Sequence, residues 1–316
     1  MPKNWKSFSI FGGIIALLAL LPFFTKRSDV LTWSCLTLQY ILLSQSWNII
    51  GGYAGQVNLG HAVFFGLGAL TTRYLWLAGL PFPVSLLSGA FIAAVFALLI
   101  GIPAFRLRGI YFVIGTLVLA EILKVVIDTR FPVASVLPAE MLLTYSLVPR
   151  YYLSLMGAVL AMIAVYFISH SKLGLGMMAI REDEDAAKTS GVGILQYKLI
   201  AFAISTFLAG LAGGIFAFYM VAIQPGYVFS PIWTFDSVVI VFVGGIGTLI
   251  GPIIGSVFFV LLKQWLSLHL PGGLHLAVFG VLFILVVLYM PDGFIEAIRR
   301  YGKMMTLGRK PAVQGG

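Results

Sequence analysis

The chain has 316 residues, of which 60% are hydrophobic and only 10% charged, with a formal net charge of +9. A soluble globular chain carries about 25% charged residues, so this composition, with a mean hydropathy of +1.03, excludes an ordinary soluble fold. The lone Cys35 excludes a disulfide framework or a cysteine metal site within one chain, and basic residues gathered on cytoplasmic loops explain the positive charge without nucleic acid.

The predicted elements are spans at 8–24, 31–50, 56–78, 84–103, 109–127, 151–169, 199–222, 235–248, 251–268 and 275–290. A spanning helix satisfies its own backbone polar groups, and the short alternating segments of a barrel are missing. The fold class is therefore all-α and polytopic, with about 8–10 transmembrane helices in one domain (1–316). With the N-terminus inside, Lys3, Lys6, Arg106, Arg108, Lys172, Arg181, Lys188, Lys198 and the basic tail from Arg299 fall on inner loops. Only Lys26, Arg27, Arg130 and Arg150 fall outside. The bias places both termini, the loop 171–198 and the tail 291–316 in the cytoplasm. The spans 56–78 and 235–248 are the two least regular.

Two glycine-rich segments interrupt the apolar pattern. The first, 51–68 (GGYAGQVNLGHAVFFGLG), surrounds Gln56, Asn58 and His61 with glycines. The second, 243–255 (VGGIGTLIGPIIG), adds Pro252. Glycine costs a helix interior about 1 kcal/mol and proline about 3, so such runs mark breaks, close packing, or both. A pair of interrupted segments points to a transporter's central pathway; GxxxG spacing points to helices in close approach. The polar groups of the first segment favour a pathway lined by Gln56, Asn58 and His61, whereas the second reads as packing. His61 has no clustered metal-ligand partners and reads as a packed, hydrogen-bonded histidine rather than a proton relay.

In the span 109–127, Glu121 and Lys124 are one helical turn apart. An acid at membrane depth is a functional candidate, so Glu121 joins the pathway set; the plain alternative is an intrahelical ion pair. The outer loop 128–150 holds no glycine. The loop 171–198 is the longest polar run in the chain. Its acids Glu182, Asp183, Glu184 and Asp185 stand beside Arg181 and Lys188, followed by Ala186, Ala187 and Gly191. It reads as a handle for a soluble partner. No P-loop, HExxH or nucleophile-elbow pattern occurs, so no catalytic residue, metal or cofactor is expected.

Four ordered motifs carry a family resemblance: GYAGQVNLGHAVFFGLGA (52–69), PAFRLRGIYFVIGTLVLAEILK (103–124), AIREDEDAAKTSGVGILQYKLIAFAISTFLAGLAGGIFA (179–217) and FVGGIGTLIGPIIGSVF (242–258). Together they resemble the LivM-type permease subunits of bacterial branched-chain amino acid ABC importers. The resemblance implies a non-enzymatic permease of the bacterial cytoplasmic membrane. Its implied partners are a second homologous permease, two cytoplasmic ATPase subunits and an external binding protein. It also implies that Arg181, Glu182, Glu184, Asp185, Ala186, Ala187 and Gly191 form the helix that couples the permease to its ATPase. The alternatives are a permease for urea, short amides or other small solutes, and an ion-coupled secondary transporter using Glu121 or His61.

Overall fold

The computed structural model describes residues 5–270 apart from 26, 132 and 134, together with the helical positions 274, 278, 280, 281 and 284. The rest of the expected span 275–290, the tail 291–316 with its basic residues, and Lys3 lie outside the described residues.

The chain opens with α1 (Trp5–Phe24) and α2 (Ser28–Trp47). A buried π-helical turn, Asn48–Tyr53, continues α2. After an irregular stretch come α3 (His61–Leu77), α4 (Phe82–Ala104) and α5 (Ile110–Arg130). Next are β1 (Ser135–Val136), the short α6 (Ala139–Leu143) and α7 (Leu147–Ser169). Two short helices, α8 (Lys172–Glu182) and α9 (Glu184–Thr189), lead into the long α10 (Ile194–Tyr219). The chain continues through β2 (Ala222–Ile223), α11 (Pro225–Val228), α12 (Ile232–Gly244) and α13 (Gly251–His269).

Six segments among the described residues are long and apolar enough to cross a membrane: α4, α5, α7, α10, α11 with α12, and α13. The protein is an all-α polytopic membrane protein. Helix α7 begins at Leu147, earlier than the expected 151, because Pro149 falls in the first turn, where its missing N–H leaves no bond unmade. The outer loop is less irregular than expected. β1 pairs antiparallel with β2, Ser135 opposite Ile223, which straps this loop to the end of α10.

Helix α10 is the axis of the bundle and packs on α2, α3, α4 and α7. Its small residues make this possible. A Cβ on Gly68 would run into the Gly210 carbonyl, one on Gly213 into the Phe65 carbonyl, and one on Gly89 would sit 2.7 Å from the Gly68 carbonyl. Backbone therefore meets backbone across α3, α4 and α10. In lipid such contact drives association, since tails are as apolar as the helices themselves. Helix α5 is the opposite case. Of its residues only Phe112, Thr116 and Ala120 are buried, and it lies at the edge of the bundle.

The C-terminal end of α10 is capped by cations. Arg73 Nη2 donates to the carbonyls of Met220 and Val221 at 2.9 Å each, and Arg150 Nε to that of Phe218 at 2.9 Å. The Phe218 and Met220 carbonyls are orphan acceptors of a helix C-terminus, where positive charge is favoured.

Candidate functional site

The two glycine-rich segments lie far apart in sequence and meet in space. Asn48, in the π-turn, bridges them with both ends of its amide. Its Nδ2 donates to the Thr248 carbonyl at 2.9 Å, and its Oδ1 accepts from the Gly247 N–H at 2.9 Å. One turn earlier, Gln45 Nε2 donates to the Leu249 carbonyl at 2.6 Å. The turn 245–250 has few backbone bonds of its own, so α2 side chains supply them. Thr248 closes it by accepting from Gly251 N at 3.0 Å, which starts α13. The packing expected of this segment is also present: a Cβ on Gly255 would strike the Ile240 carbonyl of α12.

Arg181, at the end of α8, joins this junction from the polar loop. Its Nη1 donates to the Gly52 carbonyl at 2.6 Å. A Cβ on Gly55 would stand 2.9 Å from Arg181 Cγ, and one on Gly247 would collide with Arg181 Nη1. Gly55 and Gly247 both take positive φ, +69° and +72°, a region that only glycine enters without strain. One arginine thus touches both glycine-rich segments, and each of them is shaped to receive it.

The first segment folds back over its own start. Trp47 Nε1 donates to the Asn58 carbonyl at 2.8 Å. Asn58 Oδ1 accepts from Gly60 N at 2.8 Å, Thr116 Oγ1 from Leu59 N at 3.1 Å, and Thr234 Oγ1 from Ala62 N at 2.7 Å. These acceptors satisfy the free N–H groups at the start of α3, which lies buried inside the protein. His61 is fully buried, with Nε2 2.8 Å from Ser46 Oγ. Ser46 Oγ also lies 2.6 Å from the Leu43 carbonyl. Its single proton goes to that carbonyl, so the imidazole donates from Nε2 and leaves Nδ1 as an acceptor. Neither Nδ1 nor Asn58 Nδ2 has a hydrogen-bond partner among the described residues. Gln56 is half-buried; its side-chain Nε2 donates to the nearby Ala54 carbonyl at 3.3 Å and its backbone N–H to the Ile50 carbonyl at 2.9 Å.

Asn58 and His61 are therefore both buried at the start of α3, Gln56 is half-buried before them, and Glu121 stands apart. Glu121 is on the exposed side of α5, with Lys124 at 3.8 Å. Helix α5 reaches the first glycine-rich segment through Thr116 instead, whose carbonyl oxygen would lie 2.6 Å from a Cβ on Gly60. Thr116 gives no sequence signal, because a threonine within an apolar span is unremarkable. A second omission was legible. Asp236 on α12 and Lys263 on α13 pair at 2.9 Å, with Tyr40 OH donating to the same carboxylate oxygen at 2.8 Å. One opposite charge in each of two consecutive predicted spans, 235–248 and 251–268, was the available signal.

The polar loop forms a braced helical unit. Asp183 caps α9, its Oδ1 accepting from Asp185 N at 2.9 Å and Ala186 N at 3.0 Å. Gly191, at φ +83°, ends it. Glu184 pairs at 2.7 Å with Lys198, a buried lysine in the first turns of α10. Ala187 is buried beneath α9, whereas Glu182, Asp185, Ala186 and Lys188 are exposed. Asp185 reaches Arg108, after α4, at 3.6 Å, with both side chains largely in solvent.

The glycine contacts have a direct consequence. Gly55→Val meets both the positive φ and the Arg181 side chain; Gly60→Val meets the Thr116 carbonyl. Strain at such backbone costs about 1–3 kcal/mol. Each variant is expected to lower solute uptake into membrane vesicles at least about fivefold, and wild-type uptake in both would show that the junction tolerates displacement.

The family model described as "Branched-chain amino acid transport system / permease component" matches residues 29–287. The chain belongs to this family. The permease is 28% identical to the high-affinity branched-chain amino acid transport system permease protein LivM of Escherichia coli K12, over 90% of its own length and 75% of that protein's. It is 27% identical to LivM of Salmonella typhimurium LT2, over 90% and 74%. A probable LivM of Methanocaldococcus jannaschii is 28% identical over 40% of each chain. No solved structure matches the permease.

Proposed function

We propose that this permease is the membrane-spanning component of an ATP-driven importer that moves branched-chain amino acids inward across a bacterial cytoplasmic membrane. It works with a second, related permease, two cytoplasmic ATPase subunits and an external binding protein, and both of its termini face the cytoplasm. The family match carries the class of function, and the Arg181 junction supports the mechanism.

The mechanism follows from the connections. Glu182 at the end of α8 and the exposed side of α9, with Asp185, Ala186 and Lys188, form the docking face for an ATPase subunit. Glu184 and Ala187 brace α9 against the bundle, so a displacement of α9 is passed on rather than absorbed. Arg181 lies at the joint between α8 and α9 and delivers that displacement to Gly52 and Gly247 together. Asn48 keeps the two glycine-rich segments moving as one. ATP binding drives the change only through its different affinity for the two states. Asn58 and His61 line the path beside the first segment. Glu121, on the open face of α5, is placed to meet the second permease or the substrate at the edge of the bundle.

Reversing the docking face tests this assignment. Glu182→Lys with Asp185→Lys leaves the Glu184–Lys198 brace intact. It is expected to abolish co-purification with the ATPase subunits and ATP-driven uptake, while the permease still folds. Normal association and uptake would remove α9 from the coupling role.

A further inference from the structure

We infer that Asp236, Lys263 and Tyr40 form a substrate site that holds the two charged ends of a zwitterionic amino acid within the membrane. The inference rests on the reading of the permease as an amino acid importer and adds to it a site and a chemistry.

The pair is unusual in its setting. Asp236 lies about 12 Å along α12 from Gly244, and Lys263 about 18 Å along α13 from Gly251, at 1.5 Å per residue. Lys263 sits well inside α13, and Asp236 lies about one turn into α12, within the longer apolar span Pro225–Gly244. A buried ion pair is a weak source of stability, because desolvation offsets most of the attraction. Lys263 shares a helical stripe with Ser256, Phe259 and Leu266, all of them buried. Its own side chain is nevertheless 33% exposed, against 11% for Asp236. The packed stripe is thus least covered at Lys263, whose ammonium bonds Asp236 and Tyr40. The Tyr40 ring stands beside the pair, 5.1 Å from the Phe259 ring and 5.8 Å from that of Trp233, and supplies an apolar wall.

The chemistry selects the ligand. A charged solute entering here would strand one member of the pair, and stranding a buried charge costs about 3–5 kcal/mol. A zwitterion strands neither. Its ammonium takes the place of Lys263 on the Asp236 carboxylate, and its carboxylate takes the place of Asp236 on Lys263. Tyr40 OH remains as a donor to whichever carboxylate faces it. An aliphatic side chain packs on the Phe259 and Trp233 rings. The two charges belong to helices joined by the 245–250 turn, the same turn held by Asn48 and reached by Arg181. Opening that turn separates the pair, and closing it remakes the pair and expels the ligand.

The pair Glu121–Lys124 lacks these features. Both charges lie on one helix, at 49% and 31% exposure, so no hinge separates them.

The test is leucine uptake per ATP hydrolysed by the complete transporter in proteoliposomes. Asp236→Asn, Lys263→Gln, and the exchange of Asp236→Lys with Lys263→Asp are each expected to lower this ratio about tenfold or more, the effect of about 1.4 kcal/mol. Lys263→Arg, which keeps the cation, is expected to retain most of it. The exchanged pair is the decisive variant, because it preserves an ion pair but inverts its polarity toward the ligand. Wild-type ratios in the exchanged pair would show a structural brace and overturn the inference while leaving the importer reading intact; wild-type ratios in Lys263→Gln would do the same. A wild-type complex that moves no branched-chain amino acid would sink both.

Discussion

Arg181→Met is expected to lower ATP-driven uptake at least about fivefold while the ATPase subunits still bind. The guanidinium of this exposed residue donates to the Gly52 carbonyl and lies against the Gly247 backbone, and the docking residues Glu182, Asp185, Ala186 and Lys188 are untouched by the change. What is lost is the free-energy coupling between the docking face and the glycine-rich segments. Such couplings are typically about 1–3 kcal/mol, or a factor of about 5–150. Methionine keeps the packing volume against Gly55 but cannot donate to Gly52. The expected signature is continued ATP hydrolysis with little transport. Uptake at the wild-type level would show that the two segments receive their signal by another route.

Gly213→Val is expected to act one level lower, on the fold. The Cβ it introduces would collide with the Phe65 carbonyl, and it would also stand 2.8 Å from the Ala69 backbone nitrogen. Overpacked sites cost about 1–3 kcal/mol when side chains can adjust. Here the obstacle is backbone on both sides, so the cost lies at the top of that range or above. Helix α10 is the axis on which α2, α3, α4 and α7 pack, so the damage spreads to the whole bundle. The expected result is loss of the folded permease from detergent extracts, read as the monodisperse peak in size-exclusion chromatography. Recovery of that peak at wild-type yield would show that α3 and α10 can part without unfolding.

The class of fold was legible in the sequence because composition and length decide it. Uncharged apolar runs leave a helix as the only satisfied backbone in lipid, and the predicted spans from 8–24 to 251–268 each correspond to a helix. The polar loop was legible for a local reason: Asp183 before a short helix and Gly191 after it are end signals carried by single residues. The junction was not legible. Asn48 and Gly247, or Arg181 and Gly52, are joined by tertiary folding alone. Arg181 was read with its acidic neighbours as part of a surface; it is exposed, and its guanidinium also reaches the Gly52 carbonyl. Glu184 was read in the same way, and the buried Lys198 draws it inward. Glu121 shows the converse. An acid in an apolar span draws attention, but sequence does not say which face of α5 meets the bundle. Thr116, on the buried face, makes the contact instead.

The most direct measurement is leucine uptake into proteoliposomes containing the permease with its ATPase subunits, its second permease and its binding protein. The account predicts uptake that requires ATP on the ATPase side, persists when proton and sodium gradients are collapsed, and fails when the ATPase subunits are left out. Uptake by the permease alone, driven by an ion gradient and indifferent to ATP, would contradict it.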